Sequence, residues 1–159
     1  MIRIEGAALA DVEAAARHAY PNEACGLLIG SGGHIVRAVE TANLAAERGR
    51  GRDRFEVDAR VHLKLQREMR QSGETILGVF HSHPEGRAAP SETDRAAAAY
   101  SGWIWLITAV NARGDCRTRA FRDGGGGDFE RCELAIRGTS QRASPDSSRA
   151  AARRRRRFS

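Results

Sequence analysis

Along the chain the spacing of apolar residues switches between strand period and helix period, and the switches divide it into elements. Residues 1–5 alternate, with Ile2 and Ile4 on one side, and predict a short edge strand. Residues 7–20 are alanine-rich, with Leu9, Val12, Ala16 and Ala19 at helical spacing, and Pro21 ends that helix. Residues 25–29 and 34–40 are apolar or alternating runs joined by Ser31-Gly32-Gly33, the pattern of a β-hairpin. A polar, arginine-rich loop over 43–54 leads to a short strand at 55–57. Asp58 is placed to cap a helix carrying Val61, Leu65 and Met69 on one face and closing near Gly73. Residues 75–83 are the most strand-like, around Ile76-Leu77-Gly78-Val79-Phe80. A loop over 84–90, a short helix over 91–100 and a central strand over 103–110 follow. Two later strands, 115–121 and 128–136, flank Gly124 to Gly127, read as a flexible connector. Helices alternating with strands around a mixed sheet make the class α/β or α+β.

Composition adds bounds to this picture. With 159 residues, 41% of them hydrophobic, the chain has the material for one core and not for two full-sized domains. Its longest strongly apolar stretch, 103–110, is too short to span a bilayer, and Glu5, Asp11 and Glu13 interrupt the region a signal peptide would need apolar. Three cysteines cannot all pair within one molecule. A single cytoplasmic domain over 1–136 is expected. The net charge of +6 is unevenly spread: residues 137–159 hold eight arginines and one acid, Asp146, hence +7, which leaves 1–136 at −1. That stretch predicts a disordered, arginine-rich tail, because its Ser, Arg, Ala and Pro content does not offset the entropy of folding. The five arginines from Arg153 to Arg157 allow weak, salt-sensitive polyanion binding there, while the near-neutral body is not built to track phosphate.

Chemistry concentrates in residues 78–94. His81 and His83 are two apart at the end of a predicted strand, so period two puts both imidazoles on one face, with backbones roughly 6.6 Å apart. Pro84 breaks the strand and leaves the pair at its open end. Eleven residues after His83, Asp94 falls in the first turn of the next helix, where the loop can return it to the same point. Two His and one carboxylate form the open, catalytic kind of zinc site, with a position left for water. Ser91-Glu-Thr-Asp94 has a competing meaning as a capping box, and a carboxylate reaching back to the cap nitrogen is expected to be lost to a metal. A hydrolytic site also needs a base. Glu23, immediately before the apolar run that starts at Cys25, is a carboxylate entering a buried strand and is the candidate.

Glu23, then His81-Ser-His83, seven residues, Ser91, two residues and Asp94, resembles the signature of the JAMM (MPN-plus) zinc metallopeptidases. The flanking Glu-Ala-Cys-Gly-Leu-Leu-Ile-Gly, the stretch from Asn43 through Arg-Phe-Glu-Val-Asp58, and Gly-Val-Phe-His-Ser-His-Pro are similar too, over roughly 1–136. The resemblance implies an MPN/JAMM-like (cytidine-deaminase-like) architecture with a mixed, mostly antiparallel sheet flanked by helices. It implies that His81, His83 and Asp94 hold one Zn²⁺, that Glu23 is general base and then acid toward zinc-activated water, and that Ser91 steadies the oxyanion. It further implies hydrolysis of an amide bond at the Gly-Gly C-terminus of a small ubiquitin-like or sulfur-carrier protein. The rival expectations are a non-catalytic MPN scaffold, against which the five filled positions speak, and a nucleic-acid-associated protein acting through its basic tail. No nucleophilic cysteine is needed: Cys25 is expected to be a buried strand residue, and Cys116 and Cys132 free thiols. His18, His34 and His62 are expected to be structural.

Overall fold

In the computed structural model, which describes residues 1–138, eight strands form one sheet that curls around a helix. In chain order the elements are β1 (Ile2–Glu5), α1 (Gly6–Ala19), β2 (Cys25–Ser31), β3 (His34–Thr41), α2 (Leu44–Glu47), α3 (Ala59–Glu68), β4 (Thr75–Pro84), α4 (Glu92–Ala97), β5 (Ile104–Val110), β6 (Cys116–Asp123), β7 (Phe129–Cys132) and β8 (Leu134–Arg137). The strand order is β7-β6-β5-β4-β2-β3-β1-β8. Four neighbouring pairs are antiparallel and three, β1 with β3, β1 with β8 and β4 with β5, are parallel. The sheet is thus mixed and mostly antiparallel, as expected.

β7 and β8 lie at opposite ends of that order, yet only Glu133 separates them in the chain. Laid flat, eight strands at about 4.8 Å spacing would hold their ends roughly 34 Å apart. One residue spans at most ~3.6 Å. The sheet must therefore bend until its ends approach, and Ile2 N–H donates to Glu133 O (2.8 Å) at the seam. α1 fills the bend, touching β1, β3, β4, β5, β6 and β8. Its buried face is Ala8, Val12, Ala15 and Ala16, small side chains that let the helix approach Leu28, Phe80 and Leu106 closely. Strand alternation sends Leu27, Ile29, Val79, Trp105 and Ile107 to the other face, where Leu65 of α3 and its C-cap residue Met69 cover part of them. His81 follows Val79 by two residues and so belongs to this second face.

Several local expectations change. β1 is not an edge strand; it lies between β3 and β8, with Ile2 and Ile4 buried. Residues 128–136 alternate like one strand but form two, because the chain exchanges partners at Glu133, from β6 to β1. The expected strand at 55–57 reduces to a single bridge between Asn43 and Val57, and the preceding loop contains the one-turn helix α2. The hairpin holds: Gly32 and Gly33 both have positive φ (54° and 74°), the conformation a two-residue turn of this kind requires. The glycine run is a shaped turn, not a slack connector. Gly127 has φ 81°, a Cβ there would lie 2.4 Å from Arg95 O, and Arg95 Nη1 donates to Gly127 O (2.9 Å), so α4 rests directly on it. No helix among the described residues is long and apolar enough to cross a membrane. Of the arginine-rich stretch expected to be disordered from 137, Arg137 instead ends β8, paired with Glu5; from 139 onward it lies outside the described residues.

Gly127→Ala is expected to displace α4. It should lower stability by about 1–3 kcal/mol in a denaturant titration, the usual cost of overpacking, and should weaken whatever Asp94 of α4 binds. A wild-type midpoint would show that α4 does not depend on this contact.

Candidate metal centre

β4 carries His81 and His83 to the end of the sheet on the α3 side. His81 is fully buried, stacked on Phe55 (ring centroids 4.3 Å, 18°) and met edge-on by Trp105 (5.7 Å, 89°). Its Nδ1 has no hydrogen-bond partner, so the ring is oriented by packing and by what its Nε2 meets. His83 is oriented differently: Nδ1 lies 2.7 Å from Arg87 O. A carbonyl only accepts, so Nδ1 carries the proton and Nε2 presents its lone pair. The two Nε2 atoms face each other at 2.9 Å. The loop after them is held by Glu85, at φ 55°, whose carboxylate accepts from Tyr20 Oη and Ala112 N–H (2.8 Å each).

Asp94, only 3% exposed, brings Oδ1 to 3.1 Å from His81 Nε2 and Oδ2 to 3.2 Å from His83 Nε2. The same Oδ2 accepts from Ser91 N–H (2.8 Å), while Ser91 Oγ accepts from Asp94 N–H (3.1 Å). The capping box and the His-facing carboxylate therefore coexist in one arrangement of Asp94. A carboxylate has about four acceptor positions, and the cap uses one. The cap is what points Asp94 at the histidines. Ser91 Oγ, having accepted, still has its proton to donate.

Glu23 enters from the opposite side. It is 4% exposed; Oε1 is 3.9 Å from His83 Nε2, and Oε2 has no hydrogen-bond partner. Its backbone is pinned on every side. Glu23 N–H donates to Gly51 O (2.6 Å), and Asn43 Nδ2 donates to Glu23 O (3.0 Å). Ala24 N–H donates to Ser82 Oγ (2.8 Å) and Ser82 N–H returns a bond to Ala24 O (3.0 Å), a cross-tie from Glu23's neighbour to the residue between the histidines. Asn43 also donates to Arg54 O and accepts from Ala45 and Glu56 N–H, so one side chain binds four backbone groups.

Charge in this dry space is unbalanced. Burial pushes the Glu23 carboxyl up to about 8, against the pull of His83 and with the push of Asp94. Burial also lowers His81, outweighing its bond to Asp94. For His83 burial acts the same way, but Asp94, the Arg87 carbonyl and Glu23 together leave it raised. Burial opposes ionisation of Asp94 as well, yet both imidazoles and the Ser91 N–H hold it well below the ordinary carboxylate range. His81, His83 and Asp94 each offer a ligand atom within 4.8 Å of the others. Their separations of 2.9–3.2 Å are close to the edge of a tetrahedron with 2.0–2.1 Å bonds, about 3.3 Å. Two imidazole nitrogens and a carboxylate are also the donor set zinc accepts, and the orphaned Glu23 Oε2 adds an acceptor beside it. The residues fit a divalent cation.

A sequence profile of the prokaryotic homologs of the JAB domain matches residues 7–122, from α1 through β6. The chain belongs to this JAB-domain family. Among its relatives is the desampylase of Haloferax volcanii, 33% identical over 95 residues, which are 58% of this chain and 66% of that protein, just short of two thirds. The JAB fold is matched by the solution structure of protein DSY2949 from Desulfitobacterium hafniense (TM-score 0.74, 29% identity, 89% of this chain and 96% of that one). The JAB1/MPN domain protein AF2198 from Archaeoglobus fulgidus also superposes (TM-score 0.57, 22% identity, 86% and 97% covered). The expected family and fold class are thereby shown.

All five expected site residues of this JAB domain converge: His81, His83 and Asp94 in contact, Glu23 beside His83, and Ser91 behind Asp94. The remaining histidines do not join them. His34 Nε2 pairs with Glu5 (2.6 Å), and His62 lies against Trp103 and Tyr100. Cys25 is buried and its thiol is pushed up to about 11 by burial, unsuited to a nucleophile. Cys116 and Cys132 are free. Residue patterning assigned no role to Ser82, Asn43, Phe55 or Arg87. Ser82 alone gave a local signal, a hydroxyl between two histidines in an otherwise apolar strand.

The full chain is expected to bind about one Zn²⁺, with His83→Ala abolishing tight binding. Protons compete for the two imidazoles, so affinity by chelator competition should fall steeply below about pH 6. Undiminished affinity in acid would exclude histidine ligation. Asn43→Ala should cost about 1–3 kcal/mol by removing four bonds to backbone, two of them, to Glu23 O and Ala45 N–H, part-buried. Its zinc content should stay at the wild-type level, since Asn43 supports Glu23 and not the three ligands.

Proposed function

We propose that the protein is a zinc-dependent hydrolase that cuts an amide or isopeptide bond at the C-terminus of a small ubiquitin-like or sulfur-carrier protein ending in Gly-Gly. The observation that carries the reading is the placement of Glu23: a buried carboxylate with a free oxygen, 3.9 Å from a histidine of the ligand trio and outside that trio. A structural zinc site would close its coordination with a fourth protein ligand, and a carboxylate held beside three ligands suits proton transfer instead. The relation to a desampylase supports the substrate class.

When bound by His81, His83 and Asp94, zinc supplies Lewis acidity, polarising an amide carbonyl and bringing the pKa of water near 7. The chain's own groups do the rest. Glu23 accepts the proton of the attacking water at Oε2 and delivers it to the departing amine, a shuttle suited to a buried carboxylate with one oxygen free of other bonds. Ser91, its oxygen engaged by Asp94 N–H, directs its hydroxyl proton at the oxyanion of the tetrahedral intermediate. Phe55 and Trp105 keep water from His81 and pack the ring on the side where its Nδ1 has no hydrogen bond.

Glu23→Gln separates base from ligand. Turnover of a fusion joined through a Gly-Gly C-terminus should fall by ~10²–10⁴, the usual loss for a general acid–base, while zinc content and melting temperature remain at wild type. Asp94→Asn should lose zinc. Full activity of Glu23→Gln, or loss of its metal, would overturn the assignment.

A further inference from the structure

The sheet face that carries His81 and His83 continues across β5 to β6 and β7, where its character becomes basic. In register, His83 pairs with Ala109 and Ala109 with Arg117; His81 pairs with Ile107 and Ile107 with Arg119; Trp105 pairs with Phe121 and Phe121 with Arg131. Directly paired residues share a face. Arg117, Arg119 and Arg131 therefore project on the side of the two imidazoles. The first two lie two strands from the histidines, a backbone distance of roughly 10 Å. Arg87, whose carbonyl orients His83, adds a fourth positive charge from the loop after β4.

These arginines form one electrostatic group. Arg131, Arg117 and Arg87, in order of effect with burial between the last two, lower the pKa of the Arg119 guanidinium. Arg87, Arg117 and Arg131 are exposed and Arg119 is half-buried. None of the four has an acidic partner among the described residues, whereas Arg17, Arg37, Arg48, Arg60 and Arg113 all do. Clustering like charges without counter-charges opposes folding, and here the cluster lies on the flank of the metal centre. The body that carries the cluster, residues 1–136, sums to −1. A local basic row on a near-neutral body suits a local acidic segment better than a continuous phosphate backbone.

We propose that Arg87, Arg117, Arg119 and Arg131 are the docking surface for an Asp/Glu-rich segment of the protein substrate. The row holds that segment beside the metal centre while the scissile bond is presented to it. Ala109, between His83 and Arg117 on the floor, leaves room for the chain to pass. This inference rests on the hydrolase reading of the centre, and its test has an arm that does not.

The binding arm uses the full chain and a fluorescein-labelled oligo-glutamate peptide at low salt. The double variants R117Q/R131Q and R119Q/R131Q should each bind about tenfold more weakly than wild type, the lower end of what electrostatic focusing supplies. Arg3→Gln, outside the row, should not. The tail is common to all four proteins, so its contribution cancels. The kinetic arm compares fusions with acidic or Ser/Gly residues flanking the scissile bond. The acidic-over-neutral ratio of kcat/KM should fall about tenfold in both double variants and vanish in high salt. Unchanged peptide binding in both double variants overturns the proposal. So does a loss of oligonucleotide binding without loss of peptide binding, which would mark a nucleic-acid surface. Weakened peptide binding with no turnover of any fusion would uphold the row and refute the hydrolase reading instead.

Discussion

Three electron-rich groups share one dry corner of the sheet: the Nε2 atoms of His81 and His83, 2.9 Å apart, and the Asp94 carboxylate within 3.2 Å of both. Lone pairs facing one another at that distance repel unless a positive charge lies among them, and burial removes the water that would otherwise screen them. Protons on the imidazoles bridge these groups only pairwise, to Asp94 or to each other, whereas a divalent cation serves all three at once. The surrounding structure acts to keep this arrangement from relaxing. Phe55 and Trp105 fix one ring by packing, the Arg87 carbonyl fixes the other by a hydrogen bond, and the capping box fixes the carboxylate. Glu23 is held to the same corner by backbone bonds to Gly51, Asn43 and Ser82's neighbouring cross-tie, leaving its side chain free of any structural bond on one oxygen.

The same corner shows how the fold serves the site. β4 is central in the sheet and is paired on both sides, by β2 and β5, so His81 and His83 stand on a strand with little freedom to move. β2 begins two residues after Glu23, and its register sets Cys25 opposite His81, which brings the base to the ligands across a single strand gap. Asp94 arrives on a helix of only six residues, too short to be stable by itself. Its position is secured by Ser91 at one end and by the Arg95–Gly127 contact at the other.

Much of this was legible in the residues. His81 and His83 could be placed on one face because strand period is fixed at two, and Leu65 and Met69 on the core face of α3 because helix period is fixed too. Asp58 as a cap and the Gly32-Gly33 turn follow from local backbone chemistry. What escaped was long-range. The break at Glu133 is invisible in an alternating run, because the residues flanking it, Cys132 and Leu134, satisfy the same pattern whether or not the partner changes. Asn43 looks like any loop polar residue until the four backbone groups it binds are assembled around it. Spacing alone does not show that Asp94 can meet the cap and both histidines at once, because that depends on how the several acceptor positions of its two oxygens are aimed. The arginine row is spread over residues 87 to 131, and only the register of four strands, β4 to β7, brings it beside the histidines.

The central claim is that His81, His83 and Asp94, and no cysteine, hold the metal while Glu23 stays outside the coordination shell. X-ray absorption at the zinc edge of the metal-loaded full chain tests it most directly. Nitrogen and oxygen scatterers at about 2.0–2.1 Å with the multiple-scattering pattern of two imidazoles are expected, and a spectrum unchanged in Glu23→Gln. A sulfur scatterer at about 2.3 Å, a count of imidazoles other than two, or a coordination shell altered by Glu23→Gln would contradict it.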